Sequence, residues 1–231
     1  MAQAAIDFAA PIFVAGHRGL AGSAVCRALE RRGFSNLIVR TRGELDLRDA
    51  VAVDSFFREA RPTAVVLCAA KVGGIAANDE FPADFITENL LIQTNVIRTA
   101  YEAGVRQLIF LGSSCIYPRD APQPLREDAL LTGPLERTNQ AYAVAKIAGV
   151  EMCWSFNRQY GTRYLTAMPT NLYGPGDHYD LETSHVLPAL LRRFDEARQL
   201  GAPSVTLWGT GTARREFLYS DDLGDAVACL L

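Results

Sequence analysis

Apolar residues along the chain follow two alternating patterns. Short apolar, β-branched segments predict five buried strands, at Ile12–Ala15, Leu37–Val39, Ala64–Ala69, Leu108–Leu111 and Tyr164–Ala167. Apolar residues at helical spacing predict four helices between them, at Leu20–Arg32, Asp49–Arg61, Phe81–Ala103 and Tyr142–Tyr160. Continuously apolar strands that alternate with helices are typical of a parallel sheet covered on both faces. The pattern therefore predicts an α/β fold with a doubly wound parallel sheet of the Rossmann type.

The pattern loosens after about residue 170. A loop rich in glycine, proline and aspartate at Tyr173–Asp180 precedes a predicted helix at His185–Gln199 and a short predicted strand at Val205–Trp208. A last predicted helix starts at Asp221-Asp222 and stops at Leu231, where no glycine, proline or polar residue caps its end. We expect this part of the chain to form a smaller second lobe.

Composition and charge exclude several classes of protein. The 231 residues are 49% hydrophobic and 21% charged, as in ordinary globular proteins. A net charge of −3 offers no basic field for nucleic acid or an anionic membrane surface. The apolar runs stop well short of the ~20 residues that a membrane-spanning helix needs. We therefore expect neither nucleic acid nor a membrane as a partner.

The cysteines form no recognisable framework. Five are scattered without a C-x-x-C pair, which indicates reduced thiols in a cytoplasmic protein and argues against structural zinc. Asp177, His178 and Asp180 lie together in a loop but lack a second set of ligands, so no metal site is predicted.

A glycine-rich turn follows the first predicted strand and opens the first predicted helix. Gly16, Gly19 and Gly22 are spaced G-x-x-G-x-x-G, where glycine permits a tight turn and close approach of the backbone to a pyrophosphate. The spacing differs from the commoner G-x-G-x-x-G, and a plain turn between strand and helix is the alternative. We interpret the segment as a phosphate-binding loop.

Residues after the second predicted strand indicate which dinucleotide binds. NAD-binding units place an acidic residue there for the ribose 2′-hydroxyl, whereas this chain has Arg40-Thr41-Arg42. A guanidinium suits a 2′-phosphate, and Arg18 in the glycine loop can approach the same group. The alternative is that the arginines are solvated and that Glu44 or Asp46 serves NAD. We favour NADP(H).

A tyrosine and a lysine lie four residues apart in a predicted helix. Tyr142 and Lys146 would share one helix face, where the cation is expected to lower the pKa of the phenol and make it a usable acid or base. Ser113 and Ser114, after the fourth predicted strand, would place hydroxyls beside it. A solvated Tyr–Lys pair is the alternative interpretation.

These motifs resemble the extended short-chain dehydrogenases/reductases and, within them, the family of GDP-L-fucose synthases, which are GDP-4-keto-6-deoxy-D-mannose 3,5-epimerase/4-reductases. The resemblance extends from about Ile12 to the last residue. It is carried by the segments Gly16-His-Arg-Gly-Leu-Ala-Gly22, Ala69-Ala-Lys-Val-Gly-Gly-Ile75, Leu111-Gly-Ser-Ser-Cys-Ile-Tyr-Pro118, Pro169-Thr-Asn-Leu-Tyr-Gly-Pro175 and Ser184-His-Val-Leu-Pro-Ala-Leu-Leu-Arg-Arg193.

The resemblance implies a two-part reaction and a role for each catalytic residue. The family inverts C3 and C5 of a 4-keto sugar and then reduces C4 with NADPH. By similarity Cys115 and His185 are the acid/base pair for the inversions. Ser113 and Tyr142 hydrogen-bond the C4 oxygen, which Tyr142 then protonates, and Lys146 binds the nicotinamide ribose.

The resemblance also implies binding residues. Contacts to the cofactor are expected from Gly16, His17, Arg18, Gly19, Leu20, Ala21, Gly22, Arg42, Leu111, Gly112, Ser113, Ser114, Lys146, Pro169, Thr170, Asn171, Leu172 and His185. Asn171 is expected beside both cofactor and substrate. The GDP-sugar is expected to contact Arg193, Trp208 and Arg215, although a solvated helix face and a turn are alternative interpretations of the two arginines.

The expected organisation follows from the same resemblance. Residues 1–170 are expected to form an NADP-binding Rossmann domain, and residues 171–231 a partial substrate-binding lobe with a returning Rossmann segment. Members of the family continue for several tens of residues beyond the position of Leu231, which predicts an incomplete substrate lobe, a fragment and poor turnover. A homodimer through the helices at Phe81–Ala103 and Tyr142–Tyr160 is also expected.

Two alternatives to this function remain open from the sequence. A related nucleotide-sugar 4-epimerase would prefer an acid at the end of strand two. A dehydratase would have a Thr-Asp-Glu set in place of Ser113-Ser114-Cys115. A non-catalytic NADP-binding protein would usually lose the Tyr142–Lys146 pair. The residues present favour the reductase.

Overall fold

The computed structural model describes residues 7–181, 184–207 and 209–231. The strands are β1 (Ile12–Ala15), β2 (Leu37–Ile38), β3 (Ala64–Leu67), β4 (Gln107–Leu111), β5 (Arg163–Ala167), β6 (Asn171–Tyr173) and β7 (Phe217–Tyr219). The α-helices are α1 (Leu20–Arg31), α2 (Ala50–Ala60), α3 (Ile75–Glu80), α4 (Pro82–Glu102), α5 (Gln140–Tyr160), α6 (Val186–Leu200) and α7 (Ser220–Leu230). Short 3-10 turns occur at Ser114–Ile116, Glu127–Ala129 and Arg137–Asn139.

Strands β1 to β5 form one parallel sheet in the order β2-β1-β3-β4-β5. Alternate residues of each strand enter two different hydrophobic cores, because side chains in a strand point to opposite faces. In β1, Phe13 packs with the core that contains residues of α2, α4 and α5, whereas Ile12 and Val14 pack with residues of α1 and α7. The sheet is thus covered on both faces, and the predicted doubly wound α/β fold is confirmed.

Local sequence signals explain several helix boundaries. The side chain of Asp49 accepts hydrogen bonds from the backbone N–H groups of Val51 and Ala52, which caps the start of α2. Gly161 and Gly201 adopt left-handed conformations directly after α5 and α6, where glycine ends a helix without strain. Ends of the long helices therefore lie within two residues of their predicted positions.

The last part of the chain returns to the central sheet. Strands β6 and β7 pair in parallel as a separate two-stranded sheet. Helix α7 then packs against α1, where a Cβ on Gly224 would lie 2.5 Å from the carbonyl oxygen of Ala24. Asp221 forms an ion pair with Arg27, and Asp225 accepts a hydrogen bond from Arg31 at 2.9 Å. Glycine packing and ion pairs together hold α7 on this face.

Three short elements were not predicted, and one prediction was wrong. Helix α3 and strands β6 and β7 span only three to six residues each, too few to show a period. The strand predicted at Val205–Trp208 does not form over residues 205–207, which are largely exposed and pair with no described strand. A β-branched segment without a partner backbone has nothing to stabilise it as a strand. Trp208 lies outside the described residues.

The described residues include no helix that is both long enough and apolar enough to cross a bilayer.

Candidate functional site

A cleft of about 810 Å³ opens at the carboxyl ends of β1, β3 and β4. This is where the strand order reverses around β1, the position at which open α/β sheets bind ligands. Its walls combine the glycine loop, the ends of the strands, the start of α5, and Ser184 and His185 just before α6. All of the predicted cofactor residues except His17 line it. His17 is half-buried, and its Nδ1 atom is buried without a hydrogen-bond partner among the described residues.

The glycine loop fits a phosphate group. Gly16 has a φ of +88°, which favours glycine, and a Cβ there would lie 2.7 Å from the backbone nitrogen of Ala69. Gly19 is the N-cap of α1 and has no side chain to satisfy the first N–H groups of the helix. These N–H groups are available to an anion at the start of α1. The loop is therefore shaped for the diphosphate of a dinucleotide.

The carboxylates that could serve NAD are both occupied by local partners. Glu44 accepts hydrogen bonds from the backbone N–H and the hydroxyl of Thr41, at 2.7 and 2.8 Å, which lower its pKa. Asp46 receives paired hydrogen bonds from Arg48, which hold its pKa at about 2. The Arg42 side chain is 69% exposed and lines the cleft. This arrangement favours a 2′-phosphate over a ribose hydroxyl at the end of β2.

Lys146 is buried at the base of the cleft. Only 3% of the residue is exposed, and its Nζ donates a hydrogen bond to the carbonyl oxygen of Leu111 at 2.7 Å. The ammonium also lies 4.7 Å from the centre of the Phe110 ring, a favourable cation–π contact. Burial lowers the pKa of Lys146 to about 8, and nearby Cys115 and Cys68 oppose this shift.

Tyr142 lies one helical turn before Lys146, as the spacing predicted. The Lys146 ammonium is 5.7 Å from the centre of the tyrosine ring. Burial raises the pKa of Tyr142, the Cys115 thiol raises it further, and a hydrogen bond with Ser113 lowers it. The expected lowering of this pKa is therefore not found, because burial raises the pKa more than the Ser113 hydrogen bond lowers it.

Ser113 connects the tyrosine to the cysteine. Its Oγ accepts a 3.4 Å hydrogen bond from the backbone N–H of Cys115, which starts the 3-10 turn at Ser114–Ile116. Burial raises the pKa of the Cys115 thiol, while the Ser113 hydrogen bond and the charge of Lys146 lower it. Ser113 and Ser114 line the cleft, and the half-buried Cys115 follows directly after them without being one of the lining residues.

The other predicted site residues divide into two groups. His185, the N-cap of α6, lines the cleft together with Asn171, whose amide donates to the carbonyl of Glu216 at 3.0 Å. Arg193 is half-exposed on α6 and Arg215 is exposed, and neither lines the cleft. The predicted contact at Trp208 lies outside the described residues. The structure thus brings Ser113, Tyr142, Lys146 and His185 together with all the predicted cofactor residues except His17. Cys115 and the two arginines predicted for the substrate do not line the cleft.

Several residues of the cleft were missed by the sequence analysis. Arg48, Lys71 and Glu88 line it. The Asn89 side chain accepts a hydrogen bond from the backbone N–H of Lys71 at 2.9 Å and donates one to the carbonyl oxygen of Lys71 at 3.0 Å. The sequence does contain a signal for Asn89. Phe85, Asn89 and Gln93 are spaced four residues apart on one face of a predicted helix, and two amides there interrupt an otherwise apolar stripe. All three residues are 2% exposed. Charged residues on a predicted helix give no such signal.

The doubly wound sheet, the glycine loop and the buried Tyr–Lys pair define a dinucleotide-binding protein of the extended short-chain dehydrogenase/reductase type. Residues 12–231 match the model of the NAD dependent epimerase/dehydratase family. The chain is 59% identical over 225 residues to GDP-L-fucose synthase 1 of Arabidopsis thaliana, covering 97% of this chain and 70% of that protein. It is 56% identical to GDP-L-fucose synthase of Escherichia coli (strain K12) over 215 residues, 93% of this chain and 67% of that protein.

A solved structure agrees with these relatives. The GDP-L-fucose synthetase of Naegleria fowleri bound to NADP superimposes with a TM-score of 0.86 at 32% identity, covering 96% of this chain and 73% of that chain. The chain belongs to the NAD dependent epimerase/dehydratase family and, within it, to the GDP-L-fucose synthases. The predicted family is confirmed.

Proposed function

We propose that the protein is an NADPH-dependent GDP-L-fucose synthase, which epimerises C3 and C5 of GDP-4-keto-6-deoxy-D-mannose and reduces C4. One observation carries this proposal: a single cleft joins a phosphate-binding glycine loop to Ser113, Tyr142 and Lys146. The identity to GDP-L-fucose synthases and the likeness to a synthetase bound to NADP support it.

The residues of the cleft fit the cofactor. The glycine loop and the start of α1 hold the diphosphate, and Arg42 with Arg18 binds the 2′-phosphate. Lys146 binds the nicotinamide ribose, and Leu111, Gly112 and the segment from Pro169 to Leu172 form the adjoining wall. When bound, NADPH supplies the hydride that reduces C4.

The catalytic residues act on the substrate in two ways. Both inverted carbons flank the C4 ketone, so removal of a proton from either gives an enolate whose oxygen needs hydrogen-bond donors. Ser113 and Tyr142 provide these donors, and the same contacts stabilise the C4 oxygen as an alkoxide during reduction. Cys115 and His185 remove and return the C3 and C5 protons from opposite sides. Tyr142 finally gives its proton to the C4 oxygen.

Further parts of the proposal concern the whole protein. We propose a homodimer through α4 and α5, because these helices pack on each other and leave Leu91, Val144 and Trp154 40–47% exposed. Residues 1–170 form the cofactor domain, and residues 171–231 contribute a substrate lobe and the returning segment α7. Free thiols at all five cysteines suit a cytoplasmic location.

An assay with the keto sugar tests the proposed function. We expect NADPH oxidation with GDP-4-keto-6-deoxymannose, and exchange of the C3 and C5 protons with deuterated solvent. Cys115→Ser should slow the exchange by about 10²- to 10⁴-fold while leaving direct C4 reduction measurable, since it removes an acid/base group. Tyr142→Phe should slow the reduction more than the exchange.

The exposed substitution Val51→Ala on α2, outside the cleft and outside the proposed dimer helices, is the control and should leave both rates near those of the wild type. If the wild-type protein neither exchanges the C3 and C5 protons nor oxidises NADPH, the proposed enzymatic activity is refuted. Equal loss of both steps in both variants would refute the division of labour between Cys115 and Tyr142.

A further inference from the structure

Six charged side chains form a cluster at the rim of the cleft, beside the end of β2. We call it the rim cluster, and its members are Arg42, Arg48, Lys71, Asp46, Asp84 and Glu88. Three cations balance three carboxylates, so the net charge of the cluster is zero. A site for a phosphate is more often surrounded by an excess of cations. The neutral cluster therefore needs an explanation.

Glu88 lies at the centre of the rim cluster. One of its carboxylate oxygens accepts a hydrogen bond from the Nζ of Lys71 at 2.8 Å. The other accepts from an Nη of Arg48 at 3.2 Å and faces an Nη of Arg42 at 3.6 Å. The side chain is 20% exposed, and Lys71 is the main cause of its lowered pKa, followed by Arg48 and Arg42. Glu88 is therefore ionised.

Two of the three cations have a second anchor. Lys71 also binds Asp84 at 3.0 Å, and Asn89 fixes its backbone. Arg48 is bound by Asp46 through two nitrogens, with a closest distance of 2.6 Å. These contacts remain if the charge of Glu88 is removed, so the cluster keeps its geometry.

Arg42 is different. Among the residues that the structure describes, Glu88 is the single carboxylate within 4.0 Å of its guanidinium. The Arg42 side chain is otherwise 69% exposed and free to turn toward the cleft that it lines. A carboxylate and a phosphate compete for such a guanidinium, because both accept the same hydrogen bonds and are attracted by the same charge.

We propose that Glu88 is a specificity-determining residue that weakens the binding of the 2′-phosphate by competing with it for Arg42. The proposal rests on the proposed use of NADPH. NADH has no phosphate at this position, so Glu88 lowers the affinity for NADPH and barely affects that for NADH. Since affinity changes at one site appear mainly in dissociation rates, Glu88 also speeds the release of the phosphorylated cofactor.

Binding measurements on four variants test the proposal. Glu88→Gln removes the charge but keeps an oxygen that accepts from Lys71, and Glu88→Asp keeps the charge. Asp84→Asn is the matched control, because it removes another carboxylate bound to Lys71 that has no contact with Arg42. Arg42→Ala reports whether Arg42 binds the 2′-phosphate at all. Dissociation constants for NADPH and NADH are measured at low and high salt, and thermal melting checks folding.

We expect Glu88→Gln to tighten NADPH binding about three- to tenfold at low salt, as removal of one competing charge predicts. Binding of NADH should change less than about twofold, and high salt should reduce the difference. Asp84→Asn and Glu88→Asp should keep the wild-type preference. A folded Glu88→Gln protein with unchanged or weaker NADPH binding would overturn the proposal.

The failure of the proposed function has a different signature. If wild-type protein prefers NADH, or if Arg42→Ala leaves the preference unchanged, then the assignment of NADPH to Arg42 fails and the role of Glu88 fails with it. If Arg42→Ala abolishes the preference for NADPH but Glu88→Gln does not strengthen it, only the role of Glu88 is refuted.

Discussion

Lys146 illustrates how one side chain is altered by its surroundings. Its ammonium is held by a backbone carbonyl and the face of Phe110, both neutral partners that replace only part of its hydration. Burial therefore favours the uncharged amine and lowers the pKa of Lys146 to about 8. An unfolded chain would have a lysine pKa of about 10.4. The difference makes the stability of the fold depend on pH.

The sign of this dependence gives a prediction. Below pH 8 the lysine is charged in both states, and its burial penalty is complete. Between pH 8 and 10.5 the unfolded state binds more protons, so the free energy of unfolding contributed by Lys146 rises, by roughly 3 kcal/mol in total. Urea unfolding of the wild type and of Lys146→Met at several pH values measures this difference. Titration of the thiols and phenols occurs in both proteins and largely cancels.

Parallel stability curves for the two proteins between pH 8 and 10.5 would contradict the prediction. A fall in the stability of the wild type relative to Lys146→Met as the pH rises would mean that the folded protein stabilises the ammonium instead.

At the scale of elements, α4 and α5 meet through an unusually polar contact. The amide of Gln93 on α4 donates a 2.6 Å hydrogen bond to the carbonyl of Ala145, the residue before Lys146. One turn later, Gly149 leaves room for both Gln93 and Phe110: a Cβ there would lie 2.5 Å from the Phe110 ring. The glycine and the amide thus set how α5 lies against α4, and with it the position of the Tyr142–Lys146 turn.

We predict that Gly149→Ala destabilises the protein by about 1–3 kcal/mol, even though alanine favours a helix over glycine by about 1 kcal/mol. The reason is that the Phe110 ring is fully buried and has little freedom to move. Urea unfolding measures the change, and Val51→Ala, on an exposed position of α2 outside the proposed dimer helices, serves as the control. Unchanged or increased stability of Gly149→Ala would show that the contact is loose.

The elements also show what sequence alone can predict. The five strands of the main sheet and the long helices were found because each buries an apolar pattern of several residues. Strands β6 and β7 were missed because each has only three residues, too few to show a period. In the site, Gly16, Tyr142 and Lys146 were found through spacing that reflects local geometry. Glu88 was missed because its importance comes from three partners on other segments of the chain.

For the whole molecule, the docking of α7 completes the second hydrophobic core. Leu223, Val227 and Ala228 enter the core on the α1 face of the sheet. The contact is close because Gly224 faces the backbone of α1 at Ala24. The backbone of a helix moves less easily than a side chain, so the contact between α7 and α1 has no room for a Cβ atom at residue 224. The two parts of the chain that are furthest apart in sequence thus depend on one another.

We predict that Gly224→Ala loosens α7, with a loss of about 1–3 kcal/mol as in other overpacked contacts. Hydrogen exchange should become faster in residues 220–230 than in the strands of the main sheet. Asp225→Ala, which removes an exposed ion pair with Arg31, should change stability by no more than about 1 kcal/mol. Unaltered exchange in α7 of Gly224→Ala would contradict the close fit.

The same contact makes Cys229 a natural attachment point for a fluorescent reporter. It is the exposed cysteine, while the other four are half-buried or buried, so a maleimide dye reacts there first. The dye would sit at the end of α7 beside Leu231, whose carbonyl accepts a hydrogen bond from Gln107 at the start of β4. Its emission could then report whether α7 stays docked, without a label in the cleft at the opposite edge of the sheet.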